Sequence, residues 1–488
     1  MTQELGDAGR PAAGPGPAAH RAGSILELLA DWLPRQRWYA GKGGGDPELV
    51  RLGGLHLSDV GGAPGPARVD VWFVQATTPD GVGVAYQVPL TVRAEPAPEL
   101  EHAFVGSCQA DGGEQFVYDG PHDPVYLRAL LRLLAEEGEA WAGEGAALGR
   151  ARAVRPLGGW AKDPDSTTRV LRGEQSNTSI IVDADGDAPI ILKVFRVLAG
   201  GDNPDVVVQT ALASAGSTRV AKPAGWVEGW WPEPGGKTPA HGHLVYGCEF
   251  LPGSRDAWRE AIEAVAQGRS FVEQARGLGA ATAEVHLTLA QALPIKPVDE
   301  AALDALADGL LARVDWAVDA VRALEPFTIA ARTAADAVRH VERAPDLQQV
   351  HGDYHLGQVL HSASRGWILL DFEGEPLRPL SERTAPDLTL RDVAGMLRSF
   401  DYAARHSTVG LDPEDRRTVA AQAWAAACRE AFLAGYAENG AEDPRDYDVL
   451  LRALELDKAL YEVVYETRNR PTWLAIPLGA VRRLLVTD

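Results

Sequence analysis

The segment His351-Gly-Asp353-Tyr-His355-Leu-Gly-Gln358, followed by Leu369-Leu-Asp371-Phe-Glu373, combines three groups that chemistry can use. They are a loop carboxylate, an amide a few residues on, and a second carboxylate at the end of a short apolar run. Phosphoryl transfer needs such a set: one group orients the attacking hydroxyl, and two oxygen ligands hold Mg²⁺ against the phosphates. Asp353 is the candidate base. Gln358 and Asp371 are the candidate metal ligands. Glu373 is within sequence reach of the metal or the substrate. A lone loop Asp is ordinarily a turn former, but three such residues flanking an apolar strand form a coherent set. His351, Asp353 and His355 also have zinc-ligand spacing. A catalytic zinc site needs no phosphate-binding companion, however, and this chain has one. His351 is therefore read as a hydrogen-bonding support of the loop and His355 as a neighbour of the substrate.

The phosphate-binding companion is Lys193, inside the apolar run Ile190–Phe195. Burying an unpaired ammonium is costly, so a lysine there needs an anion, and nucleotide phosphates supply one. Upstream, Gly173-Glu-Gln175-Ser176-Asn177-Thr178-Ser179 reads as a polar turn whose amides and hydroxyls cradle phosphates. It lacks the Gly-Lys-Ser/Thr ending of a Walker A loop. Cys248-Glu249-Phe-Leu251 ends a strand that joins two lobes, and Glu249 and Leu251 are its candidate backbone contacts to a nucleotide base. Asp392 and Arg398 share a helix. Asp392 is either a helix-start dipole partner or a substrate ligand. Tyr465, Arg468 and Trp473 offer aromatic faces and polar forks of the kind that bind sugars, although Tyr and Trp are also ordinary core residues.

These residues need a scaffold, and the hydrophobic pattern outlines it. Ser24 caps a helix through Ile25, Leu28, Leu29 and Trp32. Leu52 to Ala94 alternates as strands. A turn cluster at Tyr118–Pro124 precedes a helix through Tyr126, Leu130, Leu133 and Leu134. A Gly/Ala stretch near 142–150 reads as a linker. Asp185-Gly186 between Ser179–Val182 and Ile190–Phe195 signals a hairpin, and Asn203-Pro204 opens a helix. Residues 243–251 form another strand, and beyond Ser254 the chain turns helical. The expected organisation is a disordered tail (1–23), a cap domain (24–145), a strand-rich nucleotide-binding lobe (150–253) and a helical catalytic and substrate lobe (254–488). The fold class is α+β, bilobal and protein-kinase-like, with an N-terminal α+β cap domain.

The chain's 488 residues exceed one compact core, and its net charge of −21 excludes a nucleic-acid surface, which needs clustered Lys and Arg. No apolar run approaches membrane-spanning length. A soluble cytoplasmic protein is expected. The three cysteines, Cys108, Cys248 and Cys428, are too far apart to suggest a disulfide framework or a zinc knuckle.

The motif His-Gly-Asp-x₄-Gln, then strand, then Asp, resembles the aminoglycoside-phosphotransferase-like sugar kinases. Longer words resemble the maltokinases among them: Trp32-Leu-Pro-Arg-Gln-Arg-Trp-Tyr-Ala-Gly, Tyr86-Gln-Val-Pro-Leu, Glu174-Gln-Ser-Asn-Thr-Ser, Asp371-Phe-Glu-Gly-Glu-Pro and Arg391-Asp-Val-Ala-Gly-Met-Leu-Arg-Ser-Phe. The resemblance implies transfer of the ATP γ-phosphoryl to the anomeric hydroxyl of maltose. The products would be ADP and maltose 1-phosphate for glycogen and α-glucan synthesis. It implies Mg²⁺ as cofactor, Asp353 as base, Gln358 and Asp371 as metal ligands and Lys193 as phosphate anchor. A same-fold kinase of another sugar, an amino sugar or an aminoglycoside is the alternative. A monomer is expected, and association with trehalose synthase through the cap is a further idea. Relatives read Asn-Pro-Asp-Val-Glu where this chain reads Asn203-Pro-Asp-Val-Val207. The acidic partner of Lys193 is thus expected to be missing, since Asp205 lies about 200° around the helix from position 207.

Overall fold

The computed structural model describes residues 21–485 apart from 42–46, 58–66, 78–80, 82, 111, 142–147, 158–166, 172–176, 184–187, 234–237, 376–377 and 413. The chain divides into two compact units, Met1–Val206 with Lys222–Phe250, and Val207–Ala221 with Leu251–Asp488.

The first unit is built on a 14-stranded sheet. Its strands are β1 (Arg21–Ala22), β2 (Glu48–Leu57), β3 (Arg68–Thr77), β4 (Gly83–Arg93), β5 (Phe104–Ala110), β6 (Gly113–Asp119), β7 (Glu139–Trp141), β8 (Leu148–Ala153), β9 (Thr167–Val170), β10 (Asn177–Asp183), β11 (Ile190–Phe195), β12 (Val197–Leu198), β13 (Pro223–Trp231) and β14 (Ala240–Glu249). The path through the sheet is β1-β5-β6-β4-β3-β2-β7-β8-β13-β14-β11-β10-β9, with β12 on β4. Of the stretch near 142–150 expected as a linker, residues 142–147 lie outside the described residues; on either side of them β7 pairs with β8 (Glu139 with Arg150, Trp141 with Leu148). Cap strands and nucleotide-lobe strands therefore share one sheet. The expected tail ends sooner, since β1 pairs in parallel with Ser107 and Cys108 of β5.

Helix α1 (Ile25–Trp32) starts where Ser24 accepts the Glu27 N–H, and it buries Ile25, Leu28, Leu29 and Trp32. Helix α2 (Pro124–Ala135) is capped by Asp123 and buries Tyr126, Leu130 and Leu134; Leu133 is only half-buried. One core cluster joins Val71, Phe73 and Leu130 to Ile180, Leu192 and Val245, so cap and strand-rich lobe condense together. Two polar locks reinforce this. The buried Gln87 amide donates to the Phe195 and Leu244 carbonyls, both at 2.8 Å. Arg196, fully buried, makes two 2.8 Å bonds to Asp119 and a third to the Thr178 hydroxyl, and it lies 4.8 Å from the Trp38 ring centre. The hairpin of β10 and β11 forms as expected, with Ser179 opposite Lys193. Its Asp185-Gly186 turn lies outside the described residues.

Helix α3 (Pro204–Ser214) carries the division between the units. The second unit continues with β15 (Arg255–Asp256), α4 (Ala257–Ala266), α5 (Val272–Ala292), α6 (Glu300–Ala320), α7 (Thr328–Asp336), β16 (Val359–Ser362), β17 (Gly366–Leu369), α8 (Leu380–Arg383), α9 (Leu390–Arg405), α10 (Arg416–Glu438), α11 (Asp448–Asn469) and α12 (Ala475–Leu485). Its core joins Leu278, Val285 and Leu289 of α5 to Val393, Leu397 and Phe400 of α9. The small sheet β15-β16-β17 is antiparallel. No described helix is long and apolar enough to cross a membrane.

Removing one member of a buried ion pair strands the other charge. Arg196→Met should cost about 3–5 kcal/mol, read as a lower midpoint in chemical denaturation. Arg196→Met with Asp119→Leu should recover much of that loss. Equal losses in the single and double variants would show that the ion pair is not what the site depends on.

Candidate active site

The loop 350–358 precedes β16, and β17 returns to Asp371, so the hairpin carries both candidate motifs. Asp392 holds the loop in place. It stands at the start of α9, 1% exposed. Its Oδ2 accepts the His351 N–H at 2.8 Å and the His286 Nε2 at 3.0 Å, and its Oδ1 accepts the Gly352 N–H at 2.9 Å. Burial opposes its charge, but His286 and His351 outweigh burial and keep the carboxyl below the usual carboxylate range. This corrects the reading of Asp392 as a substrate ligand, because its lone pairs are spent on the loop. Arg398 is corrected likewise. It is 1% exposed and bonds Glu462 at 2.7 Å and Asp401 at 2.6 Å, so it is a buried network residue. Gly352 adopts φ +83. A Cβ on Gly395 would lie 2.5 Å from the Tyr354 carbonyl oxygen, so glycine lets α9 approach the loop backbone.

His351 supports the loop from inside: its Nε2 donates to the Leu370 carbonyl at 2.8 Å, and its ring lies against Phe372 and Tyr354. His355 Nδ1 accepts the Gly357 N–H at 3.0 Å, and burial lowers its pKa, so its neutral form carries the proton on Nε2. Asp371 leaves β17 at φ +64, a left-handed conformation that Asp tolerates better than most residues. Gln358 Nε2 donates to Asp371 Oδ2 at 3.0 Å, so the amide and the carboxylate, both hard oxygen donors, lie side by side. The Glu373 carbonyl accepts from Arg383 at 2.9 Å.

Two residues the motif reading missed complete the Asp353 environment. Lys458 Nζ of α11 lies 3.0 Å from Asp353 Oδ1 and 2.7 Å from Glu375 Oε1. Burial would raise the Asp353 pKa, but Lys458, His355 and His351 bring it down to about 2. Lys458 is pushed up by the two carboxylates against the opposing effect of burial, and Glu375, also opposed by burial, is held low by Lys458. The sequence signal was a lysine in the same helical stripe as Leu454 and Tyr461. Beside it runs an aromatic row. Trp316 of α6 stacks on Tyr461 at 6.4 Å, and Tyr461 stacks on Tyr465 at 6.3 Å. Trp316 is 37% and Tyr465 42% exposed. Arg468 lies 6.0 Å from the Trp316 ring centre. Trp473 belongs to another cluster, stacked on Tyr402 and edge-on to His406, with Arg470 between it and Tyr465.

In the first unit, Lys193 Nζ bonds Asp205 Oδ2 at 2.8 Å, and Asp205 is fully buried. This overturns the expectation of a missing partner. Asn203 caps α3 by accepting the Asp205 N–H, and in that first turn Asp205, not position 207, faces the lysine. The phosphate-loop reading is also trimmed. Gln175 and Ser176 lie outside the described residues. Asn177, Thr178 and Ser179 are already in β10. The Thr178 hydroxyl is taken by Arg196, and the Ser179 side chain is fully buried. The Glu249 N–H donates to the Lys222 carbonyl and the Phe250 N–H to the Pro189 carbonyl, so a base contact in this segment must use other backbone groups, such as that of Leu251.

Residues 32–123 match the family model of the maltokinase N-terminal cap domain. A glucosamine kinase of Streptacidiphilus jiangxiensis is 29% identical over 456 residues, 88% of this chain and 94% of that one. One of Mycolicibacterium smegmatis is 28% identical over 67% of this chain and 82% of its own. The structure of a glucosamine kinase in complex with glucosamine, ADP and inorganic phosphate superposes with a TM-score of 0.63 at 24% identity, over 95% of this chain and 99% of that one. A second crystal form of a glucosamine kinase gives 0.66 at the same identity and coverage. The fold is thus the α+β bilobal kinase-like fold with an N-terminal cap. Over residues 32–123 the chain is thus similar to the maltokinase cap domain, and over most of its length it is similar to glucosamine kinases.

Asp205→Ala should weaken ATP binding several-fold by freeing the lysine's flexible stem, whereas Val207→Glu should bring no gain. Fluorescence titration with ATP reads both. Tighter ATP binding in Val207→Glu would show that the Asp205 pair does not position the lysine.

Proposed function

We propose that the protein is an ATP-dependent sugar kinase whose acceptor is the anomeric hydroxyl of maltose, giving maltose 1-phosphate and ADP for α-glucan synthesis. The observation that carries this reading is Lys458, bridging Asp353 and Glu375 beside the aromatic row.

The bridge supports a neutral acceptor. An incoming ammonium would meet a cation already seated between the two nearest carboxylates, and like charges at close range repel. Two stacked steps of 6.4 and 6.3 Å, ending in half-exposed Trp316 and Tyr465, support an acceptor with more than one sugar ring. Asp353 accepts the hydrogen bond of the attacking hydroxyl. Its carboxyl, held at about 2, stays charged throughout the working range, so it orients the nucleophile and takes the proton only as bond formation acidifies it. Lys193, fixed by Asp205, anchors the nucleotide phosphates. Gln358 and Asp371 would hold Mg²⁺, which when bound offsets charge on the phosphates. The relatives' name favours a second reading, an amino-sugar acceptor.

A sugar panel coupled to ADP release, with the product identified by NMR, separates the two. The expected result is higher kcat/KM for maltose than for glucosamine, with phosphate on the anomeric oxygen. A clear preference for glucosamine would overturn the maltose assignment while leaving the kinase reading intact.

A further inference from the structure

Away from the Asp353 loop, α9, α10 and α12 enclose a cavity of about 340 Å³ lined by Arg405, Arg429 and Arg483 with Asp401 as the one carboxylate in its wall. Apart from Gln422, the remaining wall is small and apolar, including Ile476 and Gly479. Behind this wall Glu455 is a second carboxylate, 2.9 Å from Arg429 and 3.9 Å from Arg483, so three guanidiniums meet two carboxylates. The wall's own carboxylate is already engaged, because Asp401 Oδ2 takes Arg398 at 2.6 Å and Arg483 at 2.7 Å.

The arginines are not equally satisfied. Arg429 bonds Glu455 through Nη2 at 2.9 Å. Its Nη1 is buried without a hydrogen-bond partner and lies 3.7 Å from Asp401, beyond hydrogen-bond reach. The Arg405 Nε is also buried without a hydrogen-bond partner, and among the described residues Arg405 has no ion pair. A buried guanidinium N–H left without an acceptor is costly, and both of these arginines are among the residues that line the cavity. We propose that this cavity is an effector site for a phosphate monoester. Arg405, Arg429 and Arg483 would grip the phosphoryl oxygens through their planar forks. The apolar wall would take the carbon body of a small phosphorylated compound.

The site is wired to the catalytic loop through two helices. Arg405 ends α9, whose first turn carries Asp392. Asp401 is bonded to Arg398, and Arg398 to Glu462 of α11, one turn beyond Lys458. An anion that recruits Arg483 or Arg429 changes the charge around Asp401, and so biases the network that supports Lys458.

The test uses the full chain, isothermal titration, and three probes: glucose 6-phosphate, inorganic phosphate, and glucose as the uncharged control. The wild type should bind a phosphorylated probe saturably and ignore glucose. Equal affinity for inorganic phosphate would assign the ligand as free phosphate, and tighter glucose 6-phosphate binding would assign a sugar phosphate. Arg405→Gln should weaken binding at least tenfold. Gly479→Leu should abolish it by filling the cavity, since a Cβ there meets nothing within 4 Å. Neither residue touches the Asp353 site, so both variants should keep the basal rate of ADP release. The bound probe should change that rate at least twofold in the wild type and not in the variants. No saturable binding, or binding indifferent to both substitutions, would overturn the site. Binding with no change in rate would overturn its effector role. The rate arm rests on the proposed kinase activity and the binding arm does not, so the two readings fail separately.

Discussion

The catalytic half of this molecule depends on one buried carboxylate. Asp392 collects two consecutive backbone N–H groups, from His351 and Gly352, and the ring of His286. Charge-assisted bonds of this kind are roughly twice as strong as neutral ones, and breaking a buried set leaves donors with nowhere to go. The result is a loop whose backbone is pinned to α9 immediately before Asp353. Gly395 then lets the same helix press against the Tyr354 carbonyl. Asp353 is therefore aimed by main-chain geometry, which costs little reorganisation when a substrate arrives.

Lys458 is the second constraint. It pairs with Asp353 and Glu375 together, so three half-buried charges leave a net charge near that of one carboxylate. The depressed pKa of Asp353 follows from this arrangement. A strong base would suit a reaction that needs early deprotonation. A carboxylate at about 2 suits a loose transition state, in which the hydroxyl must be oriented and its proton leaves late. The same cation lies 5.6 Å from the Tyr461 ring centre.

Much of this was legible in the sequence, and the errors share a cause. The Ser24 cap, the β10–β11 hairpin and the proximity of Gln358 to Asp371 follow from local rules of capping, turns and strand ends. The misreadings concern partners fixed by tertiary contact. Helical angles alone turn Asp205 away from Lys193, but the direction of a residue in the first turn of α3 also depends on where the helix starts against the sheet. Asp392 and Arg398 looked like polar residues available to a ligand. Yet Asp392 shares a helical stripe with Met396 and Ser399, both buried, and that periodicity was the available signal of burial. Composition likewise does not reveal that Glu139–Trp141 and Leu148–Ala153, either side of the Gly/Ala stretch, pair as strands. Trp473 and Tyr465 are near in sequence but sit in different aromatic clusters.

The most direct test of the account is the steady-state rate of Asp353→Asn with ATP, Mg²⁺ and saturating maltose. Asparagine preserves the shape of the side chain, and Lys458 keeps Glu375 as a partner, so the folded state should persist with a thermal midpoint close to that of the wild type. The account predicts a fall in kcat of about 10²–10⁴-fold. A folded Asp353→Asn protein that turns over maltose at close to the wild-type rate would contradict it.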